Sequence, residues 1–209
     1  TVGFDFIAST TANGFDDGGF TTTVGGNVDL TGAAVGTFSS VGVFVMTGNP
    51  ATLTTDASTF LGTLRIDAGA SVSTVDSLQA TNLVVNGDLT LGDTISGTGN
   101  ITINVGGALN AGANAIDLSG NWTDNAGGFS YVAPQTVQFT GSPTVETNGA
   151  AFYDVALPFG GTMTLGDALS VDNNLTVGGV IADGGNTLTV VGTTTVSSGG
   201  AAITLDEAG

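Results

Sequence analysis

The sequence has no cysteine, no histidine and no lysine, and Arg65 is the only basic residue among 209. Against it stand 18 acidic residues, for a formal net charge of −17. Nucleic acid and anionic membrane surfaces are bound through Lys/Arg patches that neutralise phosphate, so neither is expected as a partner. Zinc sites lose their preferred ligands, and thiol or imidazole catalysis loses its nucleophile and base. Disulfides and lysine Schiff bases are excluded outright. Long apolar runs are missing too: the longest spans about six residues, Val41 to Met46, against roughly 20 for a membrane-crossing helix. The chain opens on Thr1 without an initiator methionine or a basic leader, which reads as a processed chain or a fragment.

What remains is distinctive. Charged residues make up 9%, hydrophobic ones 41%, and glycine (35) and threonine (34) together fill about a third of the chain. An acidic disordered tail would be poor in apolar residues, and this chain is not. Good helix formers are scarce while strand and turn formers abound. The fold class is therefore all-β, within one domain or a stretch of a longer repetitive one.

Internal similarity recurs at about 87 residues. "VDLTG" at Val28 returns as "IDLSG" at Ile116 and as "ITLD" at Ile203. Between these, "MTGNP" ending at Pro50 matches "FTGSP" ending at Pro143, and Phe60 matches Phe152. "LVVNGDLTLG" from Leu83 likewise matches "LSVDNNLTVG" from Leu169. These landmarks divide the chain into residues 1–27, a unit 28–115, a unit 116–202 and the opening of a third at 203–209.

Within each unit, short triplets alternate: "LTL" at Leu89, "ITI" at Ile101, "MTL" at Met163, "LTV" at Leu175 and again at Leu188. Period two puts aliphatic residues on one face and threonine on the other. The triplets are short for sandwich strands, and regular hairpin turns are few. Brief strands broken by Gly, Asn and Asp fit a parallel β-helix, or β-solenoid, in which each coil buries its apolar face only against its neighbours. Comparable positions near Ile116, Val137, Val155, Leu175 and Val196 give a coil of roughly 20 residues. Some ten such coils at about 4.8 Å each would stack to roughly 50 Å. Tandem β-sandwiches, one per repeat, are the alternative.

The run from Ile116, "IDLSGNWTDNAGGFSYVAPQTVQFTGSPTVETNGAAFYDVAL", with "GTMTLGDALSVDNNLTVGG" following, resembles the repeats of large secreted bacterial β-strand-repeat proteins. These are akin to filamentous-haemagglutinin-like proteins and autotransporter passengers. Residues 116–209 carry the resemblance well and 28–115 more weakly, with Ala34 or a neighbour standing opposite Trp122. It implies an extracellular or cell-surface protein that serves as an adhesin, fibre or coat, with a glycan or host-surface partner.

No catalytic constellation is visible, so an enzyme is not expected. Asp16 and Asp17 are adjacent acids without a basic partner, and neighbours on a strand face opposite ways, so a turn is the simpler reading. Arg65 reads as an ordinary outward residue. No cofactor is expected; Ca2+ is the one ligand that the aspartate-rich turns would support, without a definable ligand set. Three Asn-x-Thr triplets, at Asn100, Asn121 and Asn174, are no more than the composition produces by chance. Ice binding would require paired outward threonines in register coil after coil, a pattern the triplets do not repeat.

The chain's two ends differ. Val2, Phe4 and Phe6 alternate in "TVGFDFI", and Ile203 and Leu205 open a repeat that then stops. The N-terminal strand reads either as a cap over the first coil or as a donor strand for a neighbour. Val2, Phe4, Phe6, Ile203 and Leu205 are the expected subunit contacts of a head-to-tail homopolymer. The expected function is an extracellular structural one, with a carbohydrate-binding or ice-binding solenoid module as the alternative.

Overall fold

A computed structural model describes residues 3–7, 15–31, 38–55, 59–158, 160–197 and 199–204; for 15–16 and 38–40 it describes the backbone alone. Every strand pair in it is parallel, and the strands stack as a β-solenoid of about nine turns. This bears out the all-β solenoid and sets aside sandwiches, whose strands would pair antiparallel within each sheet.

The coil has three faces. The first is a long sheet whose strands include Thr21–Val24, Phe38–Met46, Phe60–Ile66, Ala80–Val85, Asn100–Ile103, Trp122–Asp124, Thr144–Glu146, Thr162–Leu165, Val180–Ala182 and Ala202–Thr204. A second face is built first from Val28–Asp29, Ala51–Thr54, Ser71–Thr74, Asp88–Thr90, Ala108–Asn110 and Phe129–Ser130. Ala151–Phe152, Leu169–Val171 and Leu188–Val190 form a separate sheet in the later coils. The third comprises Ile95–Thr98, Ile116–Leu118, Thr136–Phe139, Asp154–Leu157, Leu175–Val177 and Thr194–Val196. Along the first face the pairing offset runs from 18 residues (Thr162 with Val180) to 23 (Trp122 with Val145). The expected coil of about 20 residues thus holds as a mean, and the turns number about nine rather than ten.

Registration explains why the core is continuous. Phe44, Leu64, Leu83, Ile101, Trp122, Val145 and Leu165 stand one above another on the first face. All are buried. On the third face Ile95, Ile116, Val137, Val155 and Leu175 form a second column. Strand alternation sends these side chains inward and their threonine, asparagine and aspartate neighbours outward. The middle of the rod is filled by rings. Trp122 meets Phe129 and Phe152 edge-on at 4.9 and 5.0 Å between centroids, and Phe139 meets Phe152 at 6.2 Å.

Two features depart from expectation. The first coils carry strands of nine and seven residues, Phe38–Met46 and Phe60–Ile66, rather than triplets. These bend around a corner through a register shift between Ser40 and Val43. Later coils cut the same path in two at a glycine, as Ile95–Thr98 and Asn100–Ile103 do at Gly99. At such corners successive backbones approach closely. A Cβ on Gly141 would run into the carbonyl oxygen of Ser119, and one on Gly161 into that of Gly141.

The second concerns the repeat landmarks. Val28 lies on the second face, Ile116 on the third and Ile203 on the first. The long similarity therefore relates strand-and-turn segments, not places on the coil.

Candidate functional site

The outward side of the first face carries an ordered polar array. Segments 82–86, 100–104 and 121–125 each present asparagine at both ends and one outward residue between: Asn82-Val84-Asn86, Asn100-Thr102-Asn104 and Asn121-Thr123-Asn125. Register places like on like, Asn82 against Asn100 and Thr102 against Thr123. One asparagine column is joined by Asn100 Nδ2 donating to Asn82 Oδ1 at 2.9 Å. It continues as the Asn121 backbone N–H donates to Asn100 Oδ1 at 2.8 Å, and that of Thr144 to Asn121 Oδ1 at 2.8 Å. In the other column Asn104 Nδ2 donates to Asn86 Oδ1 at 2.7 Å and Asn125 Nδ2 to Asn104 Oδ1 at 3.1 Å.

Between the columns lies a shallow trough of about 360 Å3, lined by Thr63, Asn82, Val84, Asn100, Thr102, Asn121 and Thr123 among others. Its floor is the column Val84, Thr102, Thr123, which continues beyond the trough to Arg65 on one side and Glu146 on the other. Arg65 is half-buried and is held by Asp67, with Nε donating to Oδ1 at 2.7 Å.

Sequence reasoning placed asparagine at corners and missed these ladders. Their signal was the pair of triplets 82/100/121 and 86/104/125, which share offsets of 18 and 21. A search for one fixed period does not find them.

A second polar cluster sits at the corner between the second and third faces. Tyr131 and Tyr153, the only tyrosines, lie on successive coils with ring centroids 5.9 Å apart. The Tyr131 hydroxyl donates to Asp172 Oδ2. Burial first, then the hydrogen bond and the charge of Asp172, hold its proton up to about 12. Asp154 Oδ1 beside it accepts from Asn173 Nδ2 at 2.9 Å and from the Asn174 N–H at 2.8 Å.

Several other aspartates serve the backbone. Asp17 accepts from the N–H groups of Gly19 and Gly42, at 2.9 and 3.2 Å. Asp124, only 2% exposed, accepts those of Ala126, Gly128 and Phe129 at 3.0–3.1 Å. Burial pushes the Asp117 carboxyl upward on the third face. Among the described residues no three acidic side chains converge as a metal site.

The expected subunit contacts lie far apart. Phe4 is 84% exposed. Phe6 pairs with Val28 within the chain and meets the Phe44 ring edge-on at 6.1 Å. Ile203 pairs with Ile181 at the other end and is half-buried. Val2 and Leu205 lie outside the described residues.

The last described coil differs from those beneath it. Leu188, Val190 and Ile203 are half-buried and Val196 is 47% exposed. Their partners one coil earlier, Leu169, Val171, Ile181 and Val177, are buried.

No protein family, curated protein or solved structure matches this chain.

Proposed function

We propose that the chain is a structural segment of an extracellular fibre, coat or adhesin stalk that adds copies end to end. What supports this is a rod in which each described coil buries its apolar column only against its neighbours, as Leu64, Leu83, Ile101, Trp122 and Val145 do. Leu188, Val190, Val196 and Ile203 are more open than Leu169, Val171, Val177 and Ile181 one coil earlier, and a further coil, whether of the same chain or of a second copy, would cover them. Apolar surface closed in this way contributes about 25 cal/mol per Å2, and open parallel edges gain backbone partners at the same step. A contact between two different ends does not close on itself and so propagates. The extracellular setting rests on the resemblance to secreted β-strand-repeat proteins and on a composition that offers trypsin-like proteases a single site.

Sedimentation velocity with negative-stain imaging of the purified chain tests the reading. Rods lengthening with concentration are expected. Val196→Lys, a change at a position already half open in the single chain, should leave folded monomers, because stacking would bury the ammonium group. A monodisperse monomer from the unaltered chain would remove end-to-end addition.

A further inference from the structure

From the trough on the first face we infer that this surface binds an uncharged polysaccharide, laid along the rod axis across coils 82–86, 100–104 and 121–125. The inference is separate from end-to-end addition, since the trough lies on the rod's side.

Three observations carry it. The first is unspent hydrogen-bonding capacity in register. Among the described residues, the hydroxyls of Thr102 and Thr123 and the Nδ2 of Asn121 have no protein partner. The two hydroxyls stand in register on successive coils, and coils are about 4.8 Å apart, a spacing comparable with one pyranose ring. Hydroxyl and amide groups both donate and accept, as a sugar hydroxyl does.

The second is rigidity. The asparagine walls are already bonded along the axis, so little conformational freedom is lost when a ligand settles between them.

The third is charge. The trough's named lining residues, Thr63, Asn82, Val84, Asn100, Thr102, Asn121 and Thr123, include no charged side chain, on a molecule of net charge −17. Arg65 is compensated by Asp67 beyond one end of the floor column, and Glu146 stands beyond the other. A uronate chain would be repelled by the surrounding acidic field. A second copy of this chain would bring another −17 and, to meet it, only an arginine already held by Asp67. A peptide would find Val84 as the only apolar anchor on the floor. A neutral glycan fits all three conditions, with Val84 against the apolar side of one ring.

Affinity gel electrophoresis tests the inference with hydroxyethylcellulose, laminarin and galactomannan as neutral polymers and polygalacturonate as the anionic counterpart. Threonine-to-valine exchange keeps the β-branched shape and removes only the hydroxyl, so the fold is not at stake. At least one neutral polymer should retard the chain, and polygalacturonate should not. Thr102→Val with Thr123→Val should weaken that retardation at least tenfold. Thr176→Val, an outward threonine on the third face, should leave it unchanged. Retardation by none of the neutral polymers overturns the inference. So does retardation that survives the double variant, or that polygalacturonate reproduces.

Discussion

Among the described residues, Gln135 alone has both side-chain polar atoms buried without a partner. It is 1% exposed, and neither its Nε2 nor its Oε1 has a hydrogen-bond partner. A buried amide without partners costs about 1–3 kcal/mol. Gln135→Leu, of similar volume, should therefore raise stability by about 1–2 kcal/mol in chemical denaturation. Trp122, whose indole Nε1 is also unpartnered, sits against two phenylalanine rings and pairs in register with Ile101 and Val145. Its hydrophobic area outweighs one orphan N–H. Trp122→Ala should cost about 3–5 kcal/mol by the same measurement. Tyr131 gives a pH signature. Its proton is held more tightly in the folded chain, up to about 12 from an ordinary 10.0. The unfolded chain thus releases a proton first as pH rises, so this contribution is complete below pH 10 and is lost towards pH 12. Thermal melting should show a fall in that window, and Tyr131→Phe should flatten it.

At the scale of strands and turns, the asparagine ladders do for the outside what aliphatic columns do for the inside. Asn104 is bonded by side chain to both neighbours, Asn125 to one of its own column. Each such bond contributes about 0.5–1.5 kcal/mol net. Asn104→Ala should therefore cost about twice what Asn125→Ala does, and the double variant less than the sum. Equal losses in urea denaturation would refute the ladder as a coupled unit. How well these elements show in the sequence depends on which period carries them. Alternation in "ITI" or "LTV" is local and survives any coil length, so strands and their inward residues were legible. So was the recurrence of Ile116, Val137, Val155 and Leu175. The fifth position was not: Leu175 pairs with Thr194, and Val196 pairs with Val177. Phe38–Met46 was legible only from Val41 onward, as an apolar run, because Ser39 and Ser40 interrupt the alternation before it. Gly42 within it is a place of close approach, where a Cβ would meet the carbonyl of Phe20. The trough depends on coil offsets of 18 and then 21, and unequal turns hide such stacking from any search with a fixed period.

For the whole molecule, contacts run almost wholly between successive coils, so stability is a sum of neighbouring interfaces. Trypsin can report whether those interfaces yield together. Arg65, the only tryptic site, lies within the strand Phe60–Ile66, between strands Phe38–Met46 and Ala80–Val85. The folded chain should resist cleavage, and denaturant should produce only the two pieces 1–65 and 66–209. If coils unfold as one unit, cleavage tracks the circular-dichroism transition. If the early coils open alone, cleavage precedes it.

The hydrogen bonds of the asparagine ladders all point one way. The later coil donates and the earlier accepts, in Asn100 to Asn82, Asn104 to Asn86, Asn125 to Asn104 and Asn173 to Asp154. Their side-chain dipoles are therefore aligned and polarise one another along the axis. The ladder is thus a vector within the rod: it runs from Asn86 to Asn125, where it finishes on an amide oxygen, so an asparagine that prolonged it there would have to donate as the others do.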